Sequence, residues 1–338
     1  MKWALRAAGG LIAILLLAGI ALFIGARSYD APGPLTAAKV VVIPKGAGAR
    51  EIGTLLAANG IVENGYLFAV GTYASGRAGA LKAGEYEFAA AISPAGAADL
   101  IDSGKVYRHK LTIPEGLTSA QIVALIDAAP KLDGTIDAEP PEGTLLPDTY
   151  FYVMGNTRQE LLTRMHRAME KALTEAWAAR APGLPLASPM EAVTLASIIE
   201  KETAKPDERP RVAGVYIERL KQGMKLQADP TVIYVMTQGG AVPMPHPLGH
   251  DDLSIASPYN TYAEKGLPPT PIDNPGIASL KAALQPDDRG DLYFVADGSG
   301  GHAFAKTLDE HNKNVAKLRA QQSGQSAPNT APANPNGG

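Results

Sequence analysis

The run Leu195-Ala196-Ser197-Ile198-Ile199-Glu200-Lys201-Glu202-Thr203 puts two acidic side chains at the end of an otherwise apolar helical stretch. Further along come Gln227-Ala228-Asp229-Pro230-Thr231-Val232-Ile233-Tyr234 and Pro258-Tyr259-Asn260-Thr261-Tyr262. A carboxyl group held among apolar side chains titrates high, because a low-dielectric environment disfavours the anion, and such an acid can keep its proton near neutrality. Facing loops of Tyr, Asn, Gln and Thr, it suits proton transfer to a sugar oxygen. The combination points to chemistry on a glycan.

On a helical wheel over Ala192–Thr203, the apolar arc holds Ile198, Leu195, Ile199, Ala192, Ala196 and Val193, with Thr194, Ser197 and Lys201 opposite. Glu202 falls between Ile198 and Leu195, and Glu200 between Ala196 and Val193, so both are edge positions. Periodicity favours Glu202 modestly, since its neighbours are larger. The competing reading is that both are rim charges partnered by Lys201 and Lys205.

The elements that must position these residues follow from caps and periodicity. Ser188-Pro189-Met190-Glu191 combines a capping box with proline at the first helical position and starts the acidic helix. Further helices are expected at Arg158–Ala179, Pro210–Lys221 and Gly276–Leu284. Leu292–Val295 reads as a strand before the Gly-rich turn Asp297–Gly301. Nearer the N-terminus, Lys39–Ile43 is a strand, a helix runs up to Asn59-Gly60, Asn64 caps a second helix through Tyr73, and Gly84–Phe88 alternates as a strand. Lys105–Ile113 then leads into a helix over Ser119–Ala128. Ile43-Pro44-Lys45-Gly46 and Ile113-Pro114-Glu115-Gly116 hint at two related strand–turn–helix units.

The chain has 338 residues, enough for two or three units, with 31 basic residues against 34 acidic ones. No strongly basic block appears, which argues against nucleic acid as a partner. Cysteine is absent, so disulfides, thiol nucleophiles, thiolate zinc sites and a lipid-modified cysteine are excluded. Ala7–Ala26 carries no charge and as a helix would span roughly 30 Å, the hydrocarbon thickness of a bilayer. It is longer than a signal-peptide core, so a membrane anchor is expected rather than a cleaved leader. Lys2 and Arg6 before it place the N-terminus in the cytoplasm, with Arg27 softening the asymmetry and Trp3 and Tyr29 at the interfaces. The expected organisation is residues 1–6 cytoplasmic, 7–26 transmembrane, 27–38 linker, 39–110 a small βααβ unit, 111–320 a larger unit, and 321–338 a disordered tail poor in apolar residues.

Strand, two helices and strand over 39–110 resembles the LysM fold, a module that binds N-acetylglucosamine polymers. Ser197–Thr203 looks like the catalytic helix of lytic transglycosylases, and Pro258-Tyr259-Asn260-Thr261 resembles their tyrosine–asparagine segment. Over residues 40–318 the chain resembles the MltG (YceG-like) family of endolytic murein transglycosylases. The matching pieces are Glu142–Tyr150, Ile199–Thr203, Gln227–Tyr234, Tyr259–Tyr262 with Gly266-Leu267-Pro268-Pro269, and Leu292–Asp297 with Gly301-His302-Ala303-Phe304. The Pro- and His-rich segment Pro243–Asp252 departs from the pattern.

The fold class so implied is α+β: an N-terminal transmembrane helix, a LysM-like βααβ unit, and a mixed α/β catalytic domain with a lysozyme-like catalytic helix. The resemblance further implies a lyase that cleaves the β-1,4 bond between N-acetylmuramic acid and N-acetylglucosamine without water, leaving 1,6-anhydro ends and terminating strand elongation. Glu202 would act as acid and then base. Thr203, Gln227, Asp229, Tyr259, Asn260, Thr261, Tyr262 and His302 form the expected substrate-binding set. Asp229 alternatively caps the helix through Tyr234, and His302 alternatively bridges a Gly-rich turn. Expected partners are peptidoglycan strands, the membrane, and penicillin-binding proteins of the wall machinery, and no cofactor is expected.

A metal hydrolase built on His246, His250 and Asp251 is the first rival. That histidine spacing suits a metal only on a helix, and Pro243, Pro245 and Pro247 forbid a regular one. A glycan-binding scaffold without catalysis is the second, and a muramidase using Asp229 as a second carboxylate the third.

Overall fold

The computed structural model describes residues 2–325. They fall into two compact units. One is built from the chain up to Lys110 together with Lys131–Asp133 and Phe151–Asn156. The other comprises Leu111–Pro130, Gly134–Tyr150 and the chain from Thr157 onward.

In the first unit, helix α1 (Lys2–Asp30) precedes strand β1 (Lys39–Ile43), helices α2 (Ala49–Ala58) and α3 (Gly65–Ala74), strand β2 (Gly84–Phe88) and helix α4 (Pro94–Ser103). β1 and β2 pair antiparallel from Lys39↔Phe88 to Ile43↔Gly84, giving the expected strand–helix–helix–strand order. Asn64 caps α3 as its type predicts, its side chain accepting from the amides of Tyr66 and Leu67. Gly53 and Gly65 allow α2 and α3 to touch backbone to backbone, since a Cβ on either would run into the other's carbonyl. Ile43, Ile52, Leu56, Ile61, Phe68, Tyr86 and Phe88 fill the core. The sequence reading did not include α4, although Ser93 accepting from Gly96 and Pro94 at the first turn carried its start signal.

The apolar segment extends beyond its expected ends. Helix α1 continues through Asp30, so the linker expected at 27–38 begins only with Ala31-Pro32-Gly33, where proline and glycine stop the helix. Tyr29 is buried in the core of this unit. Among the described residues α1 alone is long and apolar enough to cross a membrane, over Ala8–Asp30, and its apolar side chains are exposed.

Strands β3 (His109–Thr112) and β4 (Thr149–Tyr152) pair with each other. The second unit holds α5 (Ser119–Ala128), α6 (Arg158–Ala178), α7 (Pro189–Glu202), α8 (Arg209–Lys221), α9 (Asp229–Met236), α10 (Ile277–Leu284), the hairpin β5 (Tyr293–Ala296) and β6 (His302–Ala305), and α11 (Leu308–Gln325). Ser188 caps α7 by accepting from the amide of Glu191 at 3.2 Å. The Glu191 carboxylate reaches back one residue further than a capping box requires, to the amide of Ala187 at 2.7 Å.

Helix α7 is central rather than amphipathic. Every residue from Ala192 to Ile199 is buried, with α6, α8, α9 and α10 packed around it. The wheel's polar side turns inward because its hydroxyls find partners: Thr194 Oγ1 donates to Met190 O at 3.0 Å, and Ser197 Oγ donates to Thr194 O at 2.8 Å while accepting from the amide of Ile272 at 3.0 Å.

α11 runs through Gln325, taking in residues 321–325 that composition assigned to the tail. Gln and Ser, with Gly324 among them, continue a helix already started. The rest of the expected tail lies outside the described residues.

Candidate active site

The two acids at the end of α7 have different surroundings. Glu200 Oε1 accepts from Arg209 Nη2 at 2.9 Å and its Oε2 from the amide of Gly276 at 3.0 Å, so it ties α7 to α8 and to the start of α10. Glu202, the last residue of α7, turns into a cleft of about 260 Å³. Its Oε1 accepts from the Tyr216 hydroxyl at 2.5 Å. Burial pushes the Glu202 carboxyl up to about 7; the Tyr216 hydrogen bond and the Arg219 charge oppose that rise, and the charge of Asp229 adds to it. The result is an acid that still holds its proton close to neutrality.

Of the expected residues, the structure brings Gln227, Asp229, Tyr262 and His302 into this cleft with Glu202. Asp229 does not cap α9. Ala228 occupies the cap, and the Asp229 carboxylate accepts from the Tyr262 hydroxyl at 2.5 Å. Burial and the Asp229 contact raise the Tyr262 phenol above its usual range, so it stays a donor. Gln227 has a φ of 53°, the left-handed region that side chains other than glycine avoid, and its amide donates to Thr261 O at 3.1 Å. His302, the first residue of β6, donates its amide to Glu208 Oε1 at 3.1 Å, and its Nδ1 lies 2.7 Å from Glu208 Oε2.

The other expected substrate-binding residues lie outside this cleft. Asn260, fully buried, donates to Leu253 O at 3.0 Å and Ile255 O at 2.8 Å and accepts from the amide of Tyr262 at 2.9 Å. Thr261 Oγ1 accepts from the amide of Ala228 at 2.9 Å and lies 3.0 Å from Thr231 Oγ1. Tyr259 bonds to Thr270 at 2.7 Å and packs on Tyr234, while buried Thr203 donates to Glu208 Oε2 at 3.3 Å. None of these four lines the cleft around Glu202. Asn260 and Thr261 tie together the segments from which Gln227, Asp229 and Tyr262 project.

Sequence reasoning missed Tyr216 and Arg219, which lie three apart on one face of α8. Arg219 is buried and donates to Leu292 O at 2.7 Å and Leu226 O at 2.6 Å, joining the hairpin and the Gln227 loop to the cleft. Burial lowers its pKa. Val212, Val215, Tyr216 and Arg219 recur at helical spacing on α8, which groups the pair on one face without aiming that face at Glu202.

Glu142 is a second acid pushed up to about 7 by burial, and it lines a separate cleft of about 630 Å³. Its Oε2 accepts from the amide of Ser119 at 2.9 Å and Asn274 Nδ2 at 3.2 Å, within a buried network around Asn274. His246 and His250 lie in the loop ahead of a short 3-10 turn (Asp251–Ser254), and among the described residues no three His, Asp or Glu side chains group to hold a metal ion.

Fold and site together define a mixed α/β protein in which the carboxyl of Glu202, at the end of a central helix, meets a cleft of hydrogen-bonding side chains. The chain belongs to the YceG-like family, whose family model matches residues 41–317. A Bacillus subtilis protein named endolytic murein transglycosylase is 31% identical over 302 residues, covering 80% of this chain and 82% of its own. A Streptococcus pneumoniae protein of the same name is 29% identical over 325 residues, covering 82% of this chain and 58% of its own. A crystal structure of a YceG-like protein from Listeria monocytogenes aligns with a TM-score of 0.49 at 31% identity, over 82% of this chain and 98% of that one.

Proposed function

We propose that this chain is an endolytic peptidoglycan lytic transglycosylase, a lyase that cuts the β-1,4 bond between N-acetylmuramic acid and N-acetylglucosamine and leaves 1,6-anhydro ends. The observation that carries this reading is the Glu202 carboxyl, raised to about 7 in a cleft of hydrogen-bonding side chains. The names of its relatives in the family support it. Protonated Glu202 gives its proton to the glycosidic oxygen as the bond breaks through an oxocarbenium-like state. The carboxylate left behind, held by Tyr216, takes the proton of the muramyl C6 hydroxyl as that oxygen closes on C1. Gln227, Asp229, Tyr262 and His302 hold the sugars. α1 anchors the enzyme, with its N-terminus cytoplasmic and its bulk on the outer side, where it terminates nascent strands beside penicillin-binding proteins. The LysM-like βααβ unit contributes a second hold on the strand.

The test is mass spectrometry of uncrosslinked glycan strands digested by the full-length protein. Anhydromuramyl ends that vanish in Glu202→Gln support the reading, and strands left intact by wild type overturn it. One observation favours hydrolysis as a second reading: Asp229 shares the cleft and could act as a second carboxylate. Reducing ends in place of anhydro ends would establish that alternative.

A further inference from the structure

Helix α3 carries no charge, and none lies anywhere between Glu63 and Arg77. Phe68 and Thr72 are buried beneath it. On the opposite face Tyr66, Val70 and Tyr73 recur at helical spacing and are 73%, 45% and 64% exposed. An uncharged helix is ordinarily covered all round, and an exposed apolar stripe marks a surface that meets something other than bulk water.

The depth of α3 says what it meets. α1 runs unbroken from Lys2 to Asp30, and Arg27 is the first charge after the apolar run Ala7–Ala26. With the hydrocarbon ending at Ala26, Tyr29 stands at most about 4.5 Å above it, inside a headgroup layer about 6 Å deep. The Tyr29 ring lies against Gly71 of α3, where a Cβ would overlap it, and its hydroxyl is 3.4 Å from Thr72 Oγ1. The middle of α3 is thus held at the height of the headgroups. Tyrosine suits that layer, with its ring among the upper acyl carbons and its hydroxyl among headgroups and water.

We propose that the Tyr66–Val70–Tyr73 face of α3 is a membrane-docking surface, resting in the headgroup layer of the bilayer that α1 crosses. The inference rests on the reading of α1 as a membrane span. Span and stripe together hold the first unit against the lipid rather than letting it swing from the end of α1. Glu87 offers a contrast within the same unit. On β2 it alternates with buried Tyr86 and Phe88, so its exposed side chain points away from the core to which α3 contributes Phe68.

The chain has no cysteine, so single cysteines can be labelled without background. Tyr66→Cys, Tyr73→Cys, Glu87→Cys and Leu16→Cys are made in the full-length protein and labelled with an NBD fluorophore, with folding checked by thermal melting. Each is reconstituted into vesicles of phosphatidylcholine and phosphatidylglycerol that carry a nitroxide lipid, which quenches at the headgroup or at mid-chain. The headgroup nitroxide should quench the labels at 66 and 73 at least about threefold more than the label at 87. The mid-chain nitroxide should quench the label at 16, the middle of the apolar run. Quenching at 66 and 73 no stronger than at 87 overturns the proposal. So does shielding of those two labels from dissolved iodide without quenching by lipid, which would mean that protein covers the face. A label at 16 that the mid-chain nitroxide leaves untouched would overturn the reading of α1 as a span instead, so the two failures are distinguishable.

Discussion

A carboxylic acid that titrates near 7 in the folded chain, and near 4.5 when unfolded, weakens the fold wherever pH strips its proton. For Glu202 the difference amounts to about 3 kcal/mol. The sign follows from proton counts: between about 4.5 and 7 the folded state binds more protons than the unfolded one, so stability falls as pH rises through that window. Glu202→Gln, which can still accept from Tyr216, should therefore be more stable than wild type by about 2 kcal/mol at pH 8, with the advantage gone by about pH 4. Denaturant melts at the two pH values check this, and the same variant should lose at least about a hundredfold in turnover. Tyr216→Phe removes the bond that holds the carboxyl down, so the alkaline limb of kcat/KM, set by loss of the Glu202 proton, should move up by about half to one pH unit. Glu142 shares the raised titration but sits in another cleft, so Glu142→Gln should leave that limb where it is.

At the scale of elements, Glu200 shows what a neighbouring acid does when it serves the fold. It is paired with buried Arg209 and accepts the amide that opens α10, so Glu200→Ala should cost about 3 kcal/mol by leaving the guanidinium only its longer pair with Glu115, at 3.6 Å, and the amide without its acceptor. Surviving folded protein should keep the wild-type alkaline limb, a contrast with Tyr216→Phe that a pH–rate series reads directly. Asn260→Ala should also cost about 3 kcal/mol, since two carbonyls and an amide lose their partner inside the protein. These two cases mark what the sequence could and could not disclose. Periodicity and caps located α7, and a wheel put Glu202 beside its bulkiest apolar neighbours. The same wheel could not tell that Thr194 and Ser197 would turn inward, because their partners at Met190 and Ile272 are set by packing. Asn260 and Thr261 lie close in sequence to the cleft residue Tyr262, and residue type alone does not separate a side chain that meets a sugar from one that meets a carbonyl. Tyr216 and Arg219 were hidden for the opposite reason: α8 reads as an ordinary amphipathic helix, and only its packing against α7 aims them at Glu202.

For the molecule as a whole, the junction between the apolar helix and the first unit decides how the chain can be handled in solution. α1 continues to Asp30, and Tyr29 near its end is buried against Gly71, with its hydroxyl 3.4 Å from Thr72 Oγ1. The end of the apolar helix is thus part of the core of that unit. A truncation beginning at Arg27 keeps the tyrosine and discards most of the apolar run, whereas one beginning at Ala31 removes an aromatic side chain that the core was built around. The shorter chain should lose about 2 kcal/mol of stability in the first unit, the value of burying one large apolar side chain. Tyr29→Ala in the longer chain should reproduce that loss. Thermal melts of the three proteins test the point, and equal midpoints would mean that the tyrosine adds nothing to the unit.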